Sequence, residues 1–323
     1  MNKEILINQV VGHLELGGFN ISARCNIRPR SFDIAARLED LLLLIKILSN
    51  IDGLKEETAR EMIHLSKYLE GVPLVVGEKT RDHSLESTVV YYRYGIPSIN
   101  VETLYDYFIE DLPPLVYAAP GGLYVSIDGS ILRDMRLSSN QSIGALAVEL
   151  GVSRRTISKY EEEGMDMSVD IVTQLEELFN HALAQPIDFI NVEKGKKKMK
   201  MPSTQSEPGT SIKSILSGLG LDVIPVSQAP FSAVSFEHTR DNNNESLSTI
   251  LTGFSNYSGA MIKRAKLMSS ISDVAKTYSM FIVNGPCKSD CVDNTVLIEK
   301  NEIEAMDDFM DLVTLIFEKI KKN

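Results

Sequence analysis

Apolar positions along this chain recur with two different periods, and the blocks they form predict alternating helices and strands. From Asn2 to Leu16 they fall at helical spacing and stop at Gly17-Gly18, which predicts a helix ending there. Phe19 to Ala23 and Phe32 to Ala36 read as short strands joined by Asn26 to Arg30. Leu41 to Leu48 is almost unbroken apolar sequence with one lysine, the pattern of a strand covered on both faces. Glu56 to Leu69 returns to the helical period, Pro73 to Val76 reads as a buried strand, and Val101 to Phe108 as a closing helix.

After residue 211 a similar order returns. Ser211 to Leu219 predicts a helix stopped by Gly220, and Asp222 to Val226 and Phe231 to Phe236 predict strands. An apolar stretch at Leu247 to Leu251, a helix over Tyr257 to Ser270, strands over Tyr278 to Val283 and Thr295 to Ile298, and a last helix over Glu302 to Ile320 follow. The segments LGGFNISARCNIRPRSFDIAAR and LGLDVIPVSQAPFSAVSF carry the likeness most visibly, so the flanks read as diverged copies of one mixed α/β domain. Between Asn191 and Ser211 lie five lysines, two glutamates and two prolines with almost no large aliphatic residue, the composition of an exposed basic linker. The expected division is therefore an α/β domain at 1–118, a small helical domain at 119–190, a linker at 191–211 and a second α/β domain at 212–323.

The helical domain holds the strongest signal, SIGALAVELGVSRRTISKYEEEG. Ser142 is a natural N-cap, Ile143, Leu146, Ala147 and Leu150 share a helix face, and Gly151 ends that helix. Ser153 caps a second helix whose Ile157 and Tyr160 face the first, leaving Arg154, Arg155, Thr156 and Lys159 outward. Ala147 lets the helices cross closely, and Gly151 supplies the left-handed turn residue. Two short helices joined by a glycine turn, with cations opening the second, are the pattern of a helix-turn-helix whose second helix enters the major groove. Net charge over the whole chain is −11, which excludes a uniformly basic nucleic-acid coat. From Ile131 to Tyr160, however, five cations face two acids, and from Glu161 to Asn180 there are seven acids and no cation. Double-stranded DNA is thus the expected partner, through Ser142, Ser153, Arg154, Arg155, Thr156, Ser158 and Lys159. Arg154 and Arg155 are the expected base readers, and Thr156 and Lys159 the phosphate contacts.

The residues LAVELGVSRRTISKYEEEG resemble the Cro and phage-repressor type of helix-turn-helix, a likeness that extends over Ile131 to Asn180. That family usually carries Gln after the first serine, where it helps to hold a phosphate; here the position is Ile143. The whole-chain arrangement is similar to archaeal helix-turn-helix transcriptional regulators, which implies transcription control. The flanks resemble the restriction-endonuclease-like fold at most in shape. Asp33 precedes a strand ending in Lys46, but Leu44 replaces the acid two residues before that lysine, and Ser232 stands where Asp33 aligns in the second copy.

No catalytic residue, metal or cofactor is therefore expected. Cys287 and Cys291 could be half of a metal site but lack a second pair, and the five histidines show no ligand spacing. The longest strongly apolar run, Leu41 to Ile45, is far too short for a membrane span, and three cysteines suit a reducing cytoplasm. The fold class expected is a central helix-turn-helix bundle between two related α/β domains that serve dimerisation or sensing, in a homodimer. The rival readings are a DNA-processing enzyme with a nuclease-like flank, distinguished by Mg²⁺-dependent nicking, and an antitoxin-like protein scaffold, distinguished by the lack of salt-dependent DNA affinity.

Overall fold

The computed structural model describes residues 3–162, 164–190, 210–237 and 249–322. The chain is mixed α/β, with eleven α-helices among the described residues and its strands in two mixed sheets. The predicted linker lies mostly in 191–209, outside the described residues.

The first run of elements is α1 (Lys3–Leu16), β1 (Asn20–Ile21), β2 (Ile34–Leu38), β3 (Leu41–Asn50), α2 (Glu56–Tyr68), β4 (Val72–Lys79), β5 (Val89–Arg93), β6 (Ile96–Ile99) and α3 (Val101–Phe108). β2 and β3 pair antiparallel from Ile34 opposite Ile45 to Leu38 opposite Leu41, closed by a turn with Glu39 at φ 50°. β4 then pairs parallel with β6, and β5 pairs antiparallel with β6. Leu42 to Ile45 are fully buried, as the unbroken apolar run requires. The β5–β6 hairpin turns through Tyr94 and Gly95, both at positive φ, a feature absent from the predicted elements.

A middle segment follows, with β7 (Val116–Ala119), β8 (Gly122–Val125), α4 (Gly129–Ser138), α5 (Ile143–Glu149), α6 (Arg154–Glu162), β9 (Met167–Ser168) and α7 (Val169–Phe179). The last run is α8 (Thr210–Gly218), β10 (Leu221–Pro225), β11 (Ala233–Glu237), β12 (Ile250–Ser255), α9 (Gly259–Ala275), β13 (Tyr278–Val283), β14 (Cys291–Val292), β15 (Thr295–Glu299), α10 (Lys300–Glu304) and α11 (Phe309–Lys322). The predicted final helix over Glu302 to Ile320 is two helices. Glu299 and Glu302 cap α10 reciprocally, and Asp308 restarts the chain by accepting from the Asp311 amide at 3.1 Å.

The strand order β1-β2-β3-β4-β6-β5 of the first run recurs as β10-β11-β12-β13-β15-β14 in the last. Local register repeats too. The Asp33 amide donates to the Ile45 carbonyl at 2.8 Å just before the β2–β3 ladder, and the Ser232 amide donates to the Thr252 carbonyl at 2.8 Å just before the β11–β12 ladder. Ser232, Leu251 and Gly253 therefore occupy the strand positions of Asp33, Leu44 and Lys46.

By contacts the chain forms two compact units, one of Met1–His13, Leu48–Asp52 and Val75–Lys196, the other of Leu14–Ile47, Gly53–Leu74 and Lys197–Asn323. In the second, the β10–β15 sheet is buried on both faces. Phe281 and Val283 share a core with Leu42, Leu44, Leu65 and residues of α9, while Met280 and Ile282 face Leu216, Leu312 and Ile316. Arg37 of β2 also caps the end of α9, its Nε 2.7 Å from the Val274 carbonyl and Nη2 3.0 Å from that of Ala275. In the first, β7, β8 and β9 form an antiparallel ladder whose Val125 and Met167 share a core with α4, α5, α6 and α7.

Candidate nucleic-acid interface

The α5–α6 pair is built from local signals. Ser142 accepts from the Ala145 amide at 3.1 Å, capping α5, and the chain leaves that helix through Gly151 at φ 66°. Gly151 and Val152 donate back to the Val148 and Ala147 carbonyls, so four residues, Leu150 to Ser153, turn the chain before α6. Ser153 then accepts from the Thr156 amide at 3.0 Å. Leu146, Ala147 and Leu150 meet Ile157 and Tyr160 in one buried seam, which α4 and α7 extend with Leu132, Val172 and Leu175. A Cβ on Gly129, at the start of α4, would collide with the Tyr160 carbonyl and stand 2.8 Å from that of Glu161, so α4 and α6 cross at a glycine. Asp166, after α6, is held by the Tyr117 and Ser126 hydroxyls, and burial together with that carboxylate pushes the Tyr117 phenol up.

Each residue that the sequence nominates lies on this pair. Ser142, Ser153, Arg154 and Arg155 are exposed, and Thr156, Ser158 and Lys159 half-buried. Both serine hydroxyls serve as caps, and Thr156 Oγ1 lies 2.8 Å from Ser153 Oγ, so these three groups first of all shape the helix starts. Arg154 and Arg155 make no hydrogen bond or ion pair among the described residues.

Arg136 departs from the charge pattern read along the chain. It is 5% exposed and forks onto Glu161, Nε to Oε1 at 2.6 Å and Nη2 to Oε2 at 2.8 Å, while Nη1 donates to the Gln141 carbonyl at 3.0 Å. That hydrogen-bonded pairing raises the guanidinium above its already high range. One of the five cations is therefore a buried clamp between α4 and α6, and one of the seven acids is its partner. The exposed cations left on these helices are Arg133, Arg154 and Arg155.

Asp33 and Lys46 form a second cluster. Asp33 is fully buried, and its Oδ1 accepts from Arg30 Nε at 2.7 Å and its Oδ2 from the Ile47 amide at 2.9 Å; Lys46 Nζ stands 3.8 Å from Oδ2 and donates to the Arg30 carbonyl at 2.7 Å. Leu44, two residues before the lysine, is buried in the apolar core. The Gln228 carbonyl accepts from both the amide and the hydroxyl of Ser31, while Glu61 accepts from the Ser227 and Gln228 amides. A divalent cation needs several oxygen donors, and here the Asp33 carboxylate is already engaged by two cations while the position two before Lys46 is a leucine. These residues do not fit such an ion. Among the described residues no cluster of three or more His, Cys, Asp and Glu side chains is placed to hold a metal. Cys287 lies near Glu299, whose carboxylate accepts its amide, and burial with that charge pushes its thiol up to about 11.

Comparison with known proteins gives two results. The family model of the PD-(D/E)XK superfamily domain matches residues 3–114. Along its whole length the chain is similar to archaeal proteins bearing the name "Putative HTH-type transcriptional regulatory protein". It is 53% identical to one from Methanococcoides burtonii, covering 100% of this chain and 99% of the relative, and 52% identical to one from Methanosarcina barkeri, covering 99% and 98%. With one from Haloquadratum walsbyi it shares 41% identity over 100% of this chain and 99% of the relative. No solved structure matches. Among the described residues no helix is long and apolar enough to cross a membrane.

Proposed function

The chain belongs to the family of these archaeal relatives, and from that membership we propose that it is a sequence-specific DNA-binding transcriptional regulator acting through a Cro-type helix-turn-helix formed by α5 and α6. The observation that carries this reading is the pair of uncommitted arginines, Arg154 and Arg155, opening the second of two helices joined by a four-residue glycine turn. α6 enters the major groove, and α4 and α7 hold it at a fixed angle. Arg155 reads a base edge, and Lys159 contacts a phosphate further along. The protein acts in the cytoplasm as a homodimer on an inverted repeat, because one module buries only about 600–1,000 Å² and binds weakly alone. Domain boundaries at 118, 190 and 211 separate the α/β flanks from this module.

A second reading, a DNA-cutting enzyme, draws on the PD-(D/E)XK match. Leu44 counts against it, since the shared fold carries Asp33 and Lys46 without the acid between them. Selection of bound fragments from sheared genomic DNA, followed by incubation with Mg²⁺, tests both readings. Enrichment of one sequence class with intact strands supports the regulator, and nicking of the bound fragments supports the enzyme.

A further inference from the structure

Gly144 sits in the first turn of α5, where glycine is the poorest helix former after proline, and no positive φ calls for it there. Its neighbour explains it. A Cβ built on Gly144 would stand 2.8 Å from Arg154 Nε and 3.0 Å from both Cζ and Nη2. The guanidinium of the first residue of α6 is thus folded back over the start of α5, resting on the bare glycine. In helix-turn-helix docking the second helix presents base-reading side chains in the groove, while the first crosses the sugar–phosphate backbone. A guanidinium held over the start of the first helix therefore stands on the backbone side.

The neighbouring side chains leave that place to it. Ile143 is apolar, and the Ser142 hydroxyl is engaged with the Ala145 amide. Arginine presents a planar fork of donors that matches a phosphate with two parallel hydrogen bonds. Resting on backbone, the fork gives up less rotamer freedom on binding than a free side chain would.

We infer that Arg154 is a phosphate clamp positioned by Gly144, and that Arg155 alone of the two arginines reads sequence. This assignment rests on the DNA-binding reading proposed above and narrows its specificity determinant to one side chain.

Gly144→Ala separates positioning from folding, since the three atoms nearest the added methyl all belong to the movable end of Arg154 and alanine favours the helix. Affinity is measured on the full chain, at several salt concentrations, for a duplex taken from the fragment selection and for a scrambled duplex of the same length. Arg154→Ala weakens both duplexes by the same factor, about fivefold, and lowers the logarithmic salt slope by about 1, leaving their ratio unchanged. Gly144→Ala weakens both in the same way, and adds nothing in the Arg154→Ala background. Arg155→Ala lowers the ratio instead. A fall in the ratio with Arg154→Ala, or additive effects of the Gly144 and Arg154 changes, overturns the clamp while leaving the DNA-binding reading standing. If neither arginine affects either duplex, that reading fails and the clamp fails with it.

Discussion

Single side chains in this protein divide into those that shape the α4–α6 region and those that the proposed reading assigns to DNA. Arg136 and Glu161 are of the first kind, with side chains 7% and 3% exposed. Removing one partner strands a buried charge, so Arg136→Met should cost about 3–5 kcal/mol in denaturant unfolding, and adding Glu161→Leu should restore much of that loss. Two independent, additive losses would show that the pair does not act as a unit. Lys159 lies further along α6, and Lys159→Ala is expected to weaken all duplexes about equally and reduce the salt slope by about 1. A base-specific defect would show that it reads sequence. The serines were legible as N-caps from their spacing alone, because a cap is a local hydrogen bond. Arg136 was not: nothing along the chain says that a cation on α4 will meet a carboxylate 25 residues later.

Elements show the same division between local and distant causes. The caps and turn of α5 and α6 follow from Ser142, Gly151 and Ser153, and the helical blocks are close to where their periods place them. The β5–β6 hairpin is hard to read from the sequence because its strands are short and Pro97 lies inside one of them, although Tyr94-Gly95 between β-branched and aromatic residues is a turn signal. The break between α10 and α11 is hidden in an acidic run, where Glu302 caps one helix and Asp308 the next. Gly129 predicts how tightly α4 and α6 cross. Gly129→Ala should lower stability by about 1–3 kcal/mol through forced separation of the two helices, and an unchanged unfolding midpoint would show slack there.

α2 carries a pH-dependent contact. His64 packs edge-on to Tyr68 at 4.9 Å, with a buried Nε2 that has no hydrogen-bond partner among the described residues, and burial holds its imidazole below the usual value of 6.5 against the opposing pull of Glu61. The unfolded chain takes up this proton near pH 6.5, whereas the folded chain resists until lower pH. Stability from this group is therefore complete above that pH and is lost as pH falls through the folded value. Thermal unfolding of His64→Gln should lose less between pH 7.5 and pH 5 than the parent; parallel curves would contradict this.

Across the whole molecule, two runs of sequence with one strand order frame a segment with different chemistry. Their likeness was visible in the order of blocks, and Ser232 was readable as the counterpart of Asp33. That Leu44 would be core and Asp33 locked by Arg30 was only half legible, since the sequence shows the missing acid but not the contacts that engage the remaining one. In the second run Ser232 and Gly253 replace both members of the Asp33 and Lys46 pair, so neither run carries the acid-x-lysine set. On the proposed reading these flanks hold and pair the DNA-binding modules. Two modules related by a two-fold axis place their α6 helices in successive major grooves, about 34–36 Å apart. The most direct measurement is a footprint of the full chain on its selected fragment, with its mass in solution determined alongside. The expected result is a dimer protecting an inverted repeat with half-sites about one helical turn apart, lost on Arg155→Ala. Selection that enriches no sequence, or a monomer protecting a single half-site, would contradict it.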